Sequence, residues 1–248
     1  MRPAWLALAV FCAATAGATG PSYSAAGIVN ASNYASGPFA PNSIVSIFGL
    51  GLARSTQAAA AGASLPTELN YVQVLVENQR VPLLFVSETQ INFVMSTTLR
   101  TGQVTVRVAT EGLNGPEVPV TLVECAPELF PNGEGYAVAL SAGNRILTPD
   151  APAHPGDIIV VYLAGLGRTS PNFDAGELTN IAARITSPIS VTLAGAKLDP
   201  IYVKYAGLAP GFPGLYQLNL EIPKDTGSDP TIQVAGDVPS SGLKLAIR

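Results

Sequence analysis

Few residues of this chain have the types and spacing that catalysis uses, and His154 is the first to consider. General acid and base chemistry most often relies on histidine, and the chain contains one. His154 lies between two prolines in the string DAPAHPGD, a composition that predicts a turn. A serine hydrolase would need a nucleophilic serine beside it, but the sequence has no Gly-x-Ser-x-Gly elbow. We therefore do not expect His154 to be catalytic.

The string Asp225-Thr226-Gly227-Ser228 matches the sequence around the catalytic aspartate of aspartic proteases. That chemistry requires two such aspartates sharing a proton, and the string occurs once. Its setting, PKDTGSDP, predicts a polar turn between two strands. Weak calcium binding through Asp225 and Asp229 is an alternative, although the alternating oxygen ligands of a dedicated calcium loop are absent.

Paired carboxylates are the remaining route to catalysis. A glycoside hydrolase needs two carboxyl groups about 5 to 10 Å apart in one groove. Asp157, Asp174 and Glu177 lie in predicted loops, but their spacing does not single out a pair. The 17 acidic residues are dispersed and no zinc or haem spacing occurs, so we predict no metal and no cofactor.

Aromatic residues in one loop form the candidate contact surface. Residues 205–216, YAGLAPGFPGLY, place Tyr205, Phe212 and Tyr216 in a stretch rich in glycine and proline. Rigid aromatic side chains in such a loop suit stacking on a sugar or capping a protein partner. The alternative is a loop that folds back over its own sandwich or fills an interface between domains.

The elements that would position these residues are short strands. Val104–Val108 alternates apolar and polar residues, and this period of two is typical of a half-buried strand. Further short runs are separated by Pro, Gly, Asn and Asp clusters and include 44–48, 72–76, 158–165, 189–193, 231–235 and 243–247. About seven strands in each half predict immunoglobulin-like β-sandwiches. Residues 55–64 are expected to form a loop or one helical turn.

The same landmarks occur twice in the same order. Gly49-Leu50-Gly51 returns at 165–167, and Gln90-Ile91-Asn92-Phe93 returns at 217–220 as Gln-Leu-Asn-Leu. We predict an all-β protein of two tandem immunoglobulin-like β-sandwich domains related by internal duplication. The domains span 25–124 and 135–248 and are joined by a connector at 125–134. The Gly-Leu-Gly strings are expected to close strands, and the Gln-x-Asn pairs to tie loops to strands.

The N-terminal residues 1–18 resemble a secretory signal peptide. Arg2 precedes an apolar run, and Ala16-Gly17-Ala18 has the form of a cleavage site. An uncleaved membrane anchor is the alternative, but the apolar run is short for one. We expect secretion with no membrane insertion after cleavage. Cys125 is then the only cysteine left, so no intramolecular disulfide forms, and a structural, partly buried thiol is expected.

Composition limits the partners. Only 12% of the 248 residues are charged, 48% are hydrophobic, and the net charge is −4. Without a basic stripe to neutralise phosphates, the chain is not expected to bind nucleic acid. The sequence leaves the oligomeric state open.

Several motifs together resemble the uncharacterised Solibacter-type C-terminal domain family, which occurs in secreted proteins of Acidobacteria. These motifs are IVNASNYASGPFAPNSIVSIFGLGLA, LPTEL, VPLLFVSETQINFV, HPGDIIVVYLAGLG and YAGLAPGFPGLYQLNLEIP. The resemblance implies a bacterial, extracytoplasmic domain. The family has no established activity, so it supplies no site residues.

These observations predict a secreted, non-catalytic binding or adhesion-type module that contacts a cell surface, a protein or a polysaccharide. Two alternatives remain. One is an extracellular hydrolase that uses carboxylates as acid and base, and the other is a structural spacer or export-associated domain.

Overall fold

The computed structural model describes residues 20–62 and 64–248. The predicted signal peptide at 1–18 lies outside the described residues. Within them the chain is built from β-strands in antiparallel sheets, which confirms the predicted all-β class, and its one helical element is the 3₁₀ turn Pro200–Tyr202.

The first half of the chain forms two sheets. Their orders are β1-β2-β7-β6-β3 and β10-β8-β4-β5, with β9 paired to β8. The strands are β1 (Ser22–Asn30), β2 (Ile44–Leu50), β3 (Gln57–Ala58), β4 (Val72–Val76), β5 (Gln79–Arg80), β6 (Leu83–Val86), β7 (Gln90–Val94), β8 (Gly102–Thr110), β9 (Leu113–Asn114) and β10 (Val118–Leu122). The stretch predicted as a loop or one helical turn contributes the edge strand β3, and its described part, residues 55–62, contains no helical turn.

The second half forms two further sheets. Their orders are β11-β13-β19-β18-β15-β14, with β12 paired to β13, and β17-β16-β20-β21. The strands are β11 (Glu128–Leu129), β12 (Ala139–Ser141), β13 (Ile158–Ala164), β14 (Thr169–Ser170), β15 (Arg184–Ile185), β16 (Ser190–Leu193), β17 (Ala196–Lys197), β18 (Val203–Leu208), β19 (Tyr216–Glu221), β20 (Thr231–Ala235) and β21 (Leu243–Lys244).

Side-chain alternation explains why these segments are strands with one buried face. In β4, Val72, Val74 and Val76 are fully buried, whereas Gln73 and Leu75 between them are partly exposed. A period of two places the valines on one side of the sheet, where they pack against the facing sheet. Each half accordingly has its own hydrophobic core, one drawn from residues 23–122 and the other from residues 125–247.

The strand orders of the two halves correspond. The row β2-β7-β6 in the first half has the place that β13-β19-β18 has in the second, and β8-β4-β5 corresponds to β20-β16-β17. We propose on this basis that the halves arose by duplication, with the predicted domains at 25–124 and 135–248.

Two observations refine those bounds. Strand β1 begins at Ser22, and Tyr23 belongs to the first core. Within the predicted connector, Cys125 and Leu129 belong to the second core, and β11 pairs with β13. The segment is part of the second sandwich because its apolar residues are buried there.

The second Gly-Leu-Gly string brings this segment close to β13. Gly165 and Gly167 have φ values of +77° and +81°, a region that favours glycine. A Cβ at Gly165 would collide with the carbonyl oxygen of Ala126, and one at Gly167 with that of Glu124. Glycine is therefore required for the close approach of the two backbones.

The two halves are joined by polar contacts at the end of β13. Tyr216 is fully buried, its hydroxyl donates to the Gly167 carbonyl, and the Asn42 amide donates to that hydroxyl at 3.2 Å. Asn42 belongs to the first half, so one tyrosine bonds both halves. Leu65 adds a backbone bond to Gly176 at 2.9 Å.

The Arg168 side chain also joins the two halves. Its Nε donates to the Thr97 carbonyl at 3.0 Å, and one terminal nitrogen donates to the Leu99 carbonyl. Its other terminal nitrogen pairs with Glu124. The planar guanidinium presents five N–H donors in a fixed geometry, so it can bond to all three acceptors at once.

Replacing Tyr216 by phenylalanine tests the buried contact. Tyr216→Phe leaves the Gly167 carbonyl and the Asn42 amide without their partner, so we expect a loss of about 1 to 3 kcal/mol in the free energy of unfolding. Urea denaturation measures this value. The matched control is Tyr71→Phe, because Tyr71 is 70% exposed. Equal stability of the two variants would contradict the account.

Candidate functional site

The loop at 205–216 has a different role from the one its composition predicts. Tyr216 is fully buried at the junction of the halves, so its prediction as a surface contact is wrong. Its ring belongs to the second core because it lies on the inward face of β19, beside Leu218. Gly214, nearby in the loop, lies against Ile44 of the first half. This end of the loop fills the interface, as the alternative interpretation expected.

The other two predicted contact residues differ from each other. The Tyr205 hydroxyl accepts from the Ala183 N–H at 3.2 Å and lies 3.1 Å from the Leu208 carbonyl. Arg184 lies over its ring, 5.1 Å from the centroid. Phe212 is 63% exposed at the tip of the loop. Of the three, only Phe212 is available to a partner without rearrangement.

The Gln-x-Asn pairs lie on the outer faces of the two larger sheets. Gln90 donates from its side chain to the side-chain amide oxygen of Asn92 at 2.9 Å, and the Ser46 hydroxyl donates to the same oxygen at 2.9 Å. In the second half, Gln217 donates to Asn219 at 3.3 Å. These amides bond along their own strand and across to the neighbouring strand instead of tying a loop to it.

Aromatic side chains flank the first amide pair. Phe48 on β2 is opposite Gln90, and Phe85 on β6 is opposite Asn92. Because directly paired residues of antiparallel strands share a face, both rings lie on the outer side with the amides. Phe48 is 37% exposed, and Leu50, two residues on, is 68% exposed.

Tyr34 completes this surface. It is 61% exposed, and its ring meets that of Phe48 edge to face, with the centroids 5.6 Å apart. Its φ of +59° lies in the left-handed region, which costs free energy for an aromatic residue. We call Tyr34, Phe48, Leu50, Phe85, Gln90 and Asn92 the aromatic-amide face.

The loop that carries Tyr34 is attached to the second half. The neighbouring Asn33 donates from its side chain to a Glu128 oxygen at 2.7 Å and to the Ser241 hydroxyl at 3.2 Å. Burial raises the pKa of the Glu128 carboxyl, and the bonds from Ser241 and Asn33 oppose that shift. The position of Tyr34 thus depends on how the halves are docked.

The second half has the same arrangement with different chemistry. Tyr162 is opposite Gln217, and Tyr205 is opposite Asn219, in the places that Phe48 and Phe85 occupy. This face also carries charge, since Lys204 pairs with Glu221 at 2.6 Å. Arg184 lies over the Tyr205 ring and covers part of it. The outer face of the second half is therefore more charged than that of the first half, and its aromatic rings are less accessible.

His154 and the three candidate carboxylates lie in two turns. His154 is exposed, and its backbone N–H donates to Asp157 at 2.9 Å. Asp174 and Glu177 bond to each other within one turn, each through a backbone N–H. Asp157 precedes the seven-residue strand β13, and Asp174 and Glu177 follow it.

The Asp225 turn borders a groove of about 360 Å³. Asp199 and Tyr202 line the same groove. The Asp199 carboxylate accepts from the Ile201 N–H at 2.9 Å and caps the 3₁₀ turn, so it has a structural partner. Within residues 20–62 and 64–248, no three His, Cys, Asp or Glu side chains cluster as metal ligands would.

Cys125 is more deeply buried than expected, at 1% exposed. Burial, together with the negative charge of Asp237, raises the pKa of its thiol to about 12. Because the thiolate is the nucleophile, this cysteine is kept in its unreactive form. Gly236 lies directly against the sulfur, and a Cβ there would collide with it.

Comparison with known proteins assigns no family. No protein-family model and no curated protein matches the chain. Within the part that the structure describes, no helix has the length and apolar character needed to cross a membrane.

Solved structures with similar β-architecture include three extracellular or surface proteins. The surface glycan-binding protein PbSGBP-B from Prevotella bryantii is 10% identical over 83% of this chain and 37% of its own, with a TM-score of 0.29. The plexin A4 extracellular region is 15% identical over 100% of this chain and 17% of its own, with a TM-score of 0.31. Domains 5–6 of the S-layer protein SbsC are 10% identical over 84% of this chain and 91% of their own, with a TM-score of 0.24.

These likenesses are distant. The chain spans little more than a third of the glycan-binding protein and less than a fifth of the plexin region. No ligand or activity is transferred from them to this chain.

Labelling tests the state of Cys125. In a Cys12→Ser background, we expect Ellman's reagent at pH 8 to react with the folded protein at least a thousandfold more slowly than with protein unfolded in guanidinium, because the thiol is both buried and protonated. Absorbance at 412 nm reports the rate. Labelling of folded protein at the unfolded rate would contradict the account.

A substitution at Glu128 tests its environment. A raised pKa means that the folded protein holds the proton more tightly than the unfolded chain, so ionised Glu128 costs stability above its folded pKa. We expect Glu128→Gln to raise the free energy of unfolding at pH 7. This gain should shrink as pH falls through the folded pKa, since wild-type Glu128 then also becomes neutral.

Urea titrations of wild type and Glu128→Gln between pH 7 and pH 4 measure this difference. Glu134→Gln, at an exposed carboxyl of the same half, is the control. A loss of stability in Glu128→Gln at pH 7 that shrinks towards acid pH would show instead that the charge of Glu128 is stabilising.

Proposed function

We propose that this chain is a secreted, non-catalytic module that acts by surface contact in a binding or adhesion role. Secretion follows from the signal-peptide pattern at 1–18, and the contact role follows from the exposed side chains of the first sheet. The partner is a polysaccharide or a protein outside the cell.

The aromatic-amide face carries this proposal. Tyr34, Phe48 and Leu50 are large apolar side chains, 61%, 37% and 68% exposed. Phe48 and Leu50 lie on β2, and the loop before β2 places Tyr34 against Phe48. Grouped exposed apolar residues mark interaction sites more often than single ones. Phe212, at 63% exposed, is a separate candidate at the loop tip.

The residues available for chemistry support a non-catalytic role because they serve the fold. Cys125 is packed in the second core, and Asp199 caps a turn. Asp157 accepts a bond from the His154 backbone, which closes the turn before β13. Catalytic groups are usually held near one another in a substrate groove, whereas Cys125 is buried in the core and Asp157 and Asp199 lie in separate turns.

Assignment to the Solibacter-type C-terminal domain family belongs to the same proposal. It rests on the combined motifs, above all the string YAGLAPGFPGLYQLN, whose Tyr216 forms the buried link between the halves. A family shaped by that link would keep the tyrosine for stability rather than for recognition.

Co-sedimentation with insoluble material tests the contact role. The purified chain is mixed separately with cellulose, chitin, bacterial peptidoglycan and an envelope-protein fraction coupled to beads. We expect the protein to be depleted from the supernatant by at least one of these, with no reducing ends released over a day.

Depletion from the supernatant and the release of reducing ends each distinguish between the candidate functions. Reducing ends that increase with time would establish the hydrolase alternative, and their loss in Asp225→Asn would place the site in the groove beside Asp199. Absence of binding to every material would overturn the contact role in favour of a structural spacer. Phe212→Ala is tested in parallel to show whether the loop tip takes part.

A further inference from the structure

The sheet that carries the aromatic-amide face contains no charged residue. Its strands β1, β2, β3, β6 and β7 read SYSAAGIVN, IVSIFGL, QA, LLFV and QINFV. A charged ligand would find no countercharge on these strands, and desolvating its charge there would be costly. The face is therefore complementary to an uncharged partner.

The amides on this face are oriented and retain hydrogen-bonding capacity. The Asn92 oxygen is occupied by Gln90 and Ser46, which directs the Asn92 NH₂ group away from them. Among the described residues, neither that NH₂ group nor the side-chain amide oxygen of Gln90 has a partner, and neither is a buried orphan. One donor and one acceptor thus remain side by side. A hydroxyl group, which donates and accepts, matches both.

The aromatic rings are spaced for an extended ligand. Phe48 and Phe85 lie on β2 and β6, on either side of β7. Two strand spacings separate them by about 10 Å across the sheet, and because their partners on β7 are two residues apart, they are also offset by about 7 Å along it, so the line that joins them is a diagonal of about 12 Å. A chain of rings running across the strands can contact both aromatics while its hydroxyl groups meet the amides between them. The Tyr34 ring lies edge to face against Phe48 and extends the aromatic surface on that side.

The left-handed backbone at Tyr34 is an independent observation. A residue with φ of +59° is usually Gly, Asn or Asp. Strained conformations persist where the surroundings enforce them, and nine other non-glycine residues within the described ranges, Tyr71 among them, also have a positive φ. Here the strain places a tyrosine against the exposed ring of Phe48.

We propose that the aromatic-amide face binds an uncharged polysaccharide. Phe48, Tyr34 and Phe85 contact the apolar faces of sugar rings, and Gln90 and Asn92 bond to hydroxyl groups. This inference rests on the proposed contact function and gives it a ligand class and a location. The equivalent face of the second half, with Lys204, Glu221 and Arg184, does not share the neutral surface and is not the site.

Affinity electrophoresis tests this proposal. The purified chain is run through native gels containing hydroxyethylcellulose, xyloglucan, galactomannan or dextran, and through gels containing polygalacturonate or heparin as charged probes. We expect retardation by at least one neutral polymer, and apparent affinity at least tenfold lower in Phe48→Ala. Phe48→Trp, which keeps an aromatic ring, should retain binding.

The second half supplies a matched control. Tyr162→Ala removes the aromatic residue at the equivalent position and should leave retardation unchanged. Thermal unfolding of each variant shows whether it is folded. A folded Phe48→Ala that binds as wild type, or a Tyr162→Ala that abolishes binding, would overturn the location. Retardation by charged polymers alone would overturn the ligand class.

The gel and bead experiments together distinguish the polysaccharide ligand from the more general contact function. If no polysaccharide retards the chain but the envelope-protein beads deplete it, the glycan assignment is wrong and the contact function stands. If neither binds it, both are wrong.

Discussion

A tyrosine hydroxyl buried between two β-sandwiches is the contact on which the rest of this structure depends. Tyr216 belongs to the second core, yet its hydroxyl receives a bond from Asn42 in the first half and donates to the Gly167 carbonyl. Burying a polar group is favourable only when its bonds are satisfied. The halves must therefore dock in one arrangement, with Arg168 fixing the same junction through the carbonyls of Thr97 and Leu99.

The docked arrangement also determines what is exposed. The loop that bears Tyr34 is held by Asn33, which bonds to Glu128 and Ser241 of the second half. Loss of the docking would release these bonds and free the loop from its position over Phe48. The aromatic-amide face is thus a property of the pair of sandwiches, because the strands of the first half position only part of it. This dependence gives the interface a functional as well as a structural role.

The fold was largely predictable, and the site was predictable only in part. Alternating runs such as VQVLV and TIQVA mark strands because a half-buried sheet imposes a period of two, and both runs are strands in the structure. The role of Tyr216 was mistaken because a Gly/Pro-rich loop suggests exposure, whereas its bonding partner lies 174 residues away in sequence. Phe48 was missed because its neighbours Ile47 and Leu50 look equally apolar in sequence. Its place opposite Gln90 depends on the register of two strands that are distant in sequence, which only the structure gives.

The buried interface holds the two sandwiches together as one body, and differential scanning calorimetry tests this most directly. If the interface couples the halves, the protein should unfold in a single transition whose calorimetric and van't Hoff enthalpies agree, with a ratio of about one. Two resolved transitions, or a ratio of about two, would show that the halves unfold independently. The docked interface, and the dependence of the Tyr34 loop on it, would then be contradicted.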